Sequence, residues 1–139
     1  ETKYPQGAEK MMIKAILNKE VPSGKLPMDV GCAVQNVGSL KAIADAVEKN
    51  IPLIERIVTV AGSTVKNPMN VMAKVGTPFN ELFSHCDGFT GRNGKLIMGG
   101  PMMGMAQVSL DAVVVKATSG IISIGENDID IMDEPACIR

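Results

Sequence analysis

The sequence predicts an α/β piece followed by a small α+β sheet domain, and two patterns carry that reading. Between Val30 and Asn50, a short apolar run, a polar turn and a helical stripe follow one another, the order of an α/β unit. After Pro52 the pattern changes to short β-branched segments punctuated by Gly and Pro, with a single helical stripe among them. The 139 residues suffice for one ordinary domain, or for part of one plus a small one. Hydrophobic content of 45% and charged content of 21% are those of a globular protein.

Taken in order, residues 8–18 read as a short helix with Met11, Met12, Ala15 and Ile16 on one side. Residues 21–28 hold two prolines and a glycine and form a loop. Val30 to Val34 reads as a buried strand. Ser39 is the expected N-cap of the next helix, whose Leu40, Ile43, Ala44 and Val47 recur at i, i+3, i+4, i+7. That helix is expected to end near Asn50, where the boundary between the two parts is placed. Ile54 to Val60 reads as a strand, Gly62-Ser63 as a turn, and Val71, Ala73 and Val75 alternate as a second strand. Thr77-Pro78 marks a helix start, with Phe79, Leu82, Phe83 and Cys86 on its apolar stripe. Leu96 to Met98, Ala112 to Val115 and Ile121 to Ile124 supply three more strands. One helix among about five short strands predicts a small α+β sheet such as a β-grasp. From Gly125 onward little periodicity remains, and the segment reads as a linker.

Composition excludes several classes of function. A formal net charge of −1 offers no basic field for nucleic acid, so no nucleic-acid partner is expected. Charge is nonetheless uneven: residues 1–25 hold five Lys and three acids, whereas residues 126–139 hold five acids and only Arg139. The acidic end reads as a solvated segment. No apolar run approaches the roughly 18–20 residues of a membrane span, so no direct membrane insertion is expected. The three cysteines, Cys32, Cys86 and Cys137, form no C-x-x-C pair, which argues against a zinc site or a complete iron–sulfur site in this chain. Ten methionines against four aromatics point to a core in which Met fills irregular gaps. No initiator Met opens the chain, which begins in mid-pattern and is expected to be an internal fragment.

Four stretches draw a chemical reading. Cys86 completes a helical stripe and is expected to be a buried small hydrophobe rather than a nucleophile, while His85 has no carboxylate partner by spacing. Gly99-Gly100-Pro101-Met102-Met103-Gly104 fits neither a phosphate-binding loop nor a dinucleotide fingerprint, and reads as a tight crossing between strands. Gln35-Asn36-Val37-Gly38-Ser39-Leu40 joins strand to helix, where helix N-termini favour anions. Its bland reading is an Asx turn followed by an N-cap. Glu9 opens a helix, where the dipole favours an acid whatever its role.

Together these stretches resemble a known family. Tyr4-Pro5-Gln6-Gly7-Ala8-Glu9-Lys10, Gln35 to Leu40, Met98 to Gly104 and Asp133-Glu134-Pro135-Ala136-Cys137-Ile138-Arg139, in that order, resemble the C subunit of Rnf-type electron transport complexes. The SoxR-reducing complex has a closely similar component. The resemblance implies a protein similar to the complex I flavoprotein, handling NAD(H), FMN and 4Fe-4S clusters. It places the chain at the cytoplasmic face of a bacterial membrane, held there by partner subunits. It assigns residues 1–50 to the tail of a flavin/NADH-binding domain, 51–125 to an SLBB-type β-grasp domain and 126–139 to an acidic linker toward a missing iron–sulfur domain.

Residue by residue, Gly7-Ala8-Glu9-Lys10 resembles a Gly-Glu-Glu-Thr stretch beside flavin and nicotinamide, with Glu9 matching the second Glu and Ala8 in place of the first. Asn36-Val37-Gly38-Ser39-Leu40 resembles a flavin-contacting Asn-Val-Glu-Thr-Leu motif, with Gly38 and Ser39 in place of Glu and Thr. The resemblance thus nominates Glu9, Asn36, Ser39 and Leu40 for the FMN/NADH side. Cys137 resembles the first cysteine of a cluster motif, and alone it is expected to be a free thiol. No catalytic residue is nominated, and the fragment itself is expected to bind no cofactor tightly. The contrasting reading is a stand-alone ligand-binding or docking module with no redox role.

Overall fold

The computed structural model describes residues 3–129, which divide into two compact units, one up to Ile51 and one from Pro52 onward. Together they hold three α-helices and a mixed five-stranded sheet, an α/β composition.

In the first unit, α1 (Glu9–Leu17) starts from an extended Ala8 with Glu9 in its first turn. It ends at Asn18, which adopts the left-handed conformation (φ 52°) that caps helices and that Asn tolerates. The buried residue on α1 is Ile13, while Met11 and Ile16 of the expected stripe are exposed. The expected strand at Val30–Val34 does not form. Pro27–Val30 is instead a single 3₁₀ turn, because Pro27 sits at its first position and Asp29 accepts a hydrogen bond from the Leu26 N–H at 2.8 Å. Gly31 (φ 72°) closes that turn, and no strand lies in this unit among the described residues.

Helix α2 (Val37–Lys49) also starts differently from expectation. Asn36, not Ser39, is its N-cap: the Asn36 side-chain oxygen accepts from the Gly38 N–H at 2.9 Å, leaving Ser39 inside the first turn. Asn outranks Ser here because it stands where the backbone is still extended and its oxygen reaches the orphan N–H two residues on. The helix ends at Asn50, again left-handed. Asp45 receives Lys41 Nζ at 2.5 Å and Lys49 Nζ at 2.7 Å, two i,i+4 pairs on one carboxylate.

The second unit is a sheet with one helix across it. Its strands are β1 (Glu55–Ala61), β2 (Met69–Lys74), β3 (Asn93–Met98), β4 (Met105–Gln107) and β5 (Gly120–Gly125), with α3 (Phe79–His85) between β2 and β3. Their order is β2-β1-β5-β3-β4; β1 and β5 run parallel and the other pairs antiparallel. Alternation works as expected: Val58, Val60, Val71, Ala73, Leu96 and Ile121 face one core. Phe79, Leu82, Phe83 and Cys86, the predicted helical stripe, fill it from α3. Phe89 stacks obliquely on Phe83, ring centres 4.6 Å apart.

Three expectations are corrected. Residues 112–115 form no strand of the sheet. Val113 makes only an isolated bridge to Pro78, while Val114 donates its N–H to Thr77 O at 2.9 Å and fills the core. The apolar run there is real, but it packs against the entry to α3 instead of joining the sheet. Pro78, not Thr77 as the Thr-Pro pair predicts, occupies the N-cap position of α3, so the helix starts one residue later than expected. The fifth strand is β4, which lacks β-branched residues and so gave no signal. Nor do the methionines build the core: among the described residues none is buried, and Met12 and Met98 are half-buried at most.

Beside the apolar core lies a small buried polar cluster. Thr64 Oγ1 and Ser123 Oγ lie 2.6 Å apart, and each is 3.0 Å from Asn93 Oδ1. It ties the turn after β1 to β3 and β5, and satisfies hydroxyls that would otherwise be costly to bury.

Candidate functional site

The residues nominated for the cofactor side all lie in the first unit. Asn36, Ser39 and Leu40 share the opening turn of α2, where Leu40 donates its N–H to Asn36 O at 3.0 Å. Asn36 is exposed, with its side-chain oxygen committed to Gly38 and its amide NH2 turned to no described partner. The first turn holds no acid, so the positive end of the helix dipole is not neutralised locally. Ser39 is half-buried and Leu40 is 53% exposed. Glu9 stands at the start of α1, exposed, and no hydrogen bond or ion pair joins it to the other three. Cys137 lies outside the described residues.

Sequence reasoning did not foresee how bare α2 is. None of its residues is buried, and Val37 (80%), Leu40 (53%), Ile43 (53%) and Val47 (77%) form an apolar stripe open to solvent. The periodicity that located the helix also marks a face that elsewhere would be covered. Asp45 lies on the same helix, and the hydrogen bonds from Lys41 and Lys49 hold the pKa of its carboxyl at about 2.

In the second unit, Cys86 is fully buried, as its place on the stripe predicted, and burial pushes its thiol up, with Asp87 adding to the shift. A thiol so placed is a poor nucleophile. Gly99–Gly104 is the turn of the β3–β4 hairpin, a crossing between strands as read from the sequence. Gly99 donates its N–H to Gly120 O at 2.7 Å and Gly104 to Gly100 O at 2.8 Å, so the loop closes on neighbouring backbone. A half-open polar concavity of about 420 Å³ lies elsewhere, between the Ser63-Thr64 turn, Thr90 to Arg92 and Gly125 to Asp128. Among the described residues, no group of three or more His, Cys, Asp or Glu gathers as a metal site. No helix among them is long and apolar enough to cross a membrane.

Comparison with known proteins follows the same division. Residues 1–45 match the Nuo51 FMN-binding domain and residues 57–106 match the SLBB domain. The chain is 51% identical, over 99% of its length, to the C subunit of the proton-translocating ferredoxin:NAD(+) oxidoreductase complex of Clostridium ljungdahlii. It is 44% identical to the Na(+)-translocating counterpart of Acetobacterium woodii, and 44% identical to the C subunit of the ion-translocating oxidoreductase complex of Vibrio cholerae, again over 99% of the chain. It spans 30%, 31% and 18% of those three relatives. The resemblance carried by the ordered motifs is therefore borne out: over nearly its whole length the chain matches one segment of the C subunit of the ion-translocating, Rnf-type oxidoreductase complexes, the segment holding FMN-binding and SLBB sequence.

Proposed function

We propose that the chain is part of the flavin- and NADH-handling subunit of a membrane-associated electron transport complex. In that complex, electrons pass between NAD(H), FMN, iron–sulfur clusters and ferredoxin as ions are translocated. The observation that carries the reading is identity of 44–51% to these relatives across 99% of the chain. The bare stripe of α2 supports it, since a helix of an FMN-binding domain finds its cover in parts of that domain beyond these residues. On this reading residues 1–50 belong to the flavin/NADH domain, 51–125 to the SLBB module and 126–139 to the approach to the clusters. The strand order β2-β1-β5-β3-β4 with one helix across the core face favours a β-grasp for the module. Other subunits would hold the protein at the cytoplasmic face of the membrane.

The residues of α2 fit one wall of a flavin site. Its N-terminal turn offers N–H groups without a competing acid, Asn36 has an amide to donate, and Leu40 gives apolar contact. Glu9 would stand on the nicotinamide side and orient it through its carboxylate, with Ser39 supporting the turn. FMN, when bound, supplies the step between hydride transfer and single-electron transfer; the protein supplies position and electrostatics. Cys137 would be the first ligand of a 4Fe-4S cluster completed by residues beyond this chain.

The test is a longer protein reaching upstream through the rest of the flavin domain. It is expected to retain FMN, seen as a visible absorbance band, while the 139-residue chain does not. Asn36→Ala in the longer protein is expected to weaken FMN retention about tenfold, the loss of one hydrogen bond to a buried ligand. A longer protein that purifies folded but colourless sinks the reading.

A further inference from the structure

Asn93 is the only asparagine of the chain followed by glycine. An Asn-Gly pair carries its own reaction, in which the glycine nitrogen attacks Cγ of the asparagine side chain. The N–Cγ bond forms, the Cγ–Nδ2 bond breaks, and ammonia leaves carrying the proton of the glycine N–H. Water then opens the resulting five-membered imide at either carbonyl. The product is aspartate, or a β-linked isoaspartate whose backbone is longer by one carbon atom. Glycine makes the attack easiest, because no Cβ hinders its nitrogen or restricts its backbone. The fold cannot exchange this glycine for another residue. A Cβ on Gly94 would lie 2.6 Å from Ile129 Cδ1, 2.8 Å from Glu126 Cα and 2.9 Å from Glu126 N, since the 3₁₀ turn Glu126–Asp128 rests directly on it.

The same surroundings hold the reaction off. Asn93 pairs with Gly125 and Lys95 with Ile124, so Gly94 is an extra residue, a bulge between β3 and β5. The Asn93 side-chain oxygen lies 3.0 Å from both Thr64 Oγ1 and Ser123 Oγ, which fixes Cγ. Ring closure must swing Cγ onto the Gly94 nitrogen. It therefore breaks those contacts and shifts a glycine that has no clearance. The ties at this end of the sheet are polar: besides the hydroxyls, Gly125 N–H donates to Ser63 Oγ at 3.0 Å and Glu126 N–H to Arg92 O at 3.4 Å. Such an end opens before the apolar core does. The polar concavity beside it, lined by Thr64, Arg92 and Glu126, admits the water that opens the imide. We infer that Asn93-Gly94 is a modification site shielded by the fold: it deamidates spontaneously when this end of the sheet opens, and the product then keeps the end from closing properly. An isoaspartate lengthens β3 where Gly94 already has no room, and either product adds a negative charge beside the Glu126 turn. The chemistry uses residues of this chain and water alone, so it stands whether or not the proposed function holds.

The test follows the 139-residue chain in mildly alkaline buffer, with and without concentrated urea, by mass spectrometry of its proteolytic peptides. In urea, Asn93 is expected to be the first asparagine to show the one-dalton gain of deamidation. In native buffer its conversion is expected to be at least about tenfold slower, set by the population of the opened sheet end. Ser123→Ala, which removes one hydroxyl of the cluster, is expected to raise the native rate at Asn93 several-fold. Asn70, on the edge strand β2, is expected to keep its rate. The deamidated chain, separated by ion exchange and returned to native buffer, is expected to unfold at a lower urea concentration than the unmodified one. Equal rates at Asn93 in the two buffers overturn the inference, because the fold then shields nothing. So does earlier conversion of another asparagine in urea, or an unchanged urea midpoint of the product. A native rate that stays level or falls with Ser123→Ala also overturns it, since the hydroxyls then do not restrain the side chain. The comparison between buffers needs no variant and decides even where Ser123→Ala fails to fold.

Discussion

A Cβ placed on Gly62 would lie 1.9 Å from the carbonyl oxygen of Ser123, and the residue already holds φ at 127°, which side chains rarely adopt. Both constraints arise because the turn after β1 must pass directly over β5. Gly62→Ala is expected to destabilise the chain by about 3 kcal/mol, read as a lower urea midpoint with an unchanged slope. A shift within error would mean that the turn relaxes freely. Asp45 shows a different kind of local constraint. Hydrogen bonds from Lys41 and Lys49 lower its carboxyl from the ordinary 3.8 to about 2. A depressed acid stabilises the folded form fully above its unfolded value and loses that contribution as pH falls through the folded one. Helical circular dichroism of the chain is therefore expected to fall between about pH 4 and pH 2, and Asp45→Asn to remove that step. Identical acid titrations of the two proteins would exclude the lysine pairs as its source. The approach of Gly62 to Ser123 was not legible in the sequence, because it depends on which strands become neighbours.

Among the elements, α2 separates what periodicity reveals from what it hides. Its i, i+3, i+4, i+7 stripe located the helix correctly, yet Leu40 and Ile43 are each 53% exposed. In this chain Leu40→Gln with Ile43→Gln is expected to change stability by no more than about 0.5 kcal/mol, as at other surface positions. In the longer protein, where the stripe would be covered, the same pair is expected to cost about 2–5 kcal/mol. Equal effects in both, measured by thermal unfolding, would deny that the stripe has a missing partner. The same contrast explains which parts of the fold were legible. The stripe of α3, the β-branched run of β1, the alternation of β2 and the short apolar runs of β3 and β5 are local signals, and each was read in place. Val30–Val34 and Ala112–Val115 carry the same apolar signal but have no strand beside them, so one becomes a 3₁₀ turn and the other a bridge. Strand β4 lay outside any local signal, since its residues pair only because the glycine turn folds them back on β3. At the candidate site, Asn36 and Glu9 were legible through family resemblance alone. The helix geometry around Asn36 then showed it to be the cap, a role that spacing had given to Ser39.

Across the whole molecule the two units are unequally built. The first buries only Ile13 and Pro27 among the described residues, whereas the second encloses a core of a dozen residues. Amide hydrogen exchange is expected to show α1 and α2 barely protected beyond isolated helices, and Val58, Val60 and Ile121 the slowest in the chain. Comparable protection in both units would overturn that order. The second unit carries a further consequence in its strand order. Strand β5, last in sequence among the described strands, lies between β1 and β3 and is the strand that joins them. Until Gly120–Gly125 has been synthesised, the nascent chain holds two separate ribbons, β1–β2 and β3–β4, each marginal in water by itself. The sheet then closes in one late step across a long loop, the kind of topology that folds slowly. Because β5 comes last among the described strands, the sheet can close only once Gly120–Gly125 has emerged from the ribosome, after a further stretch of chain has already been made.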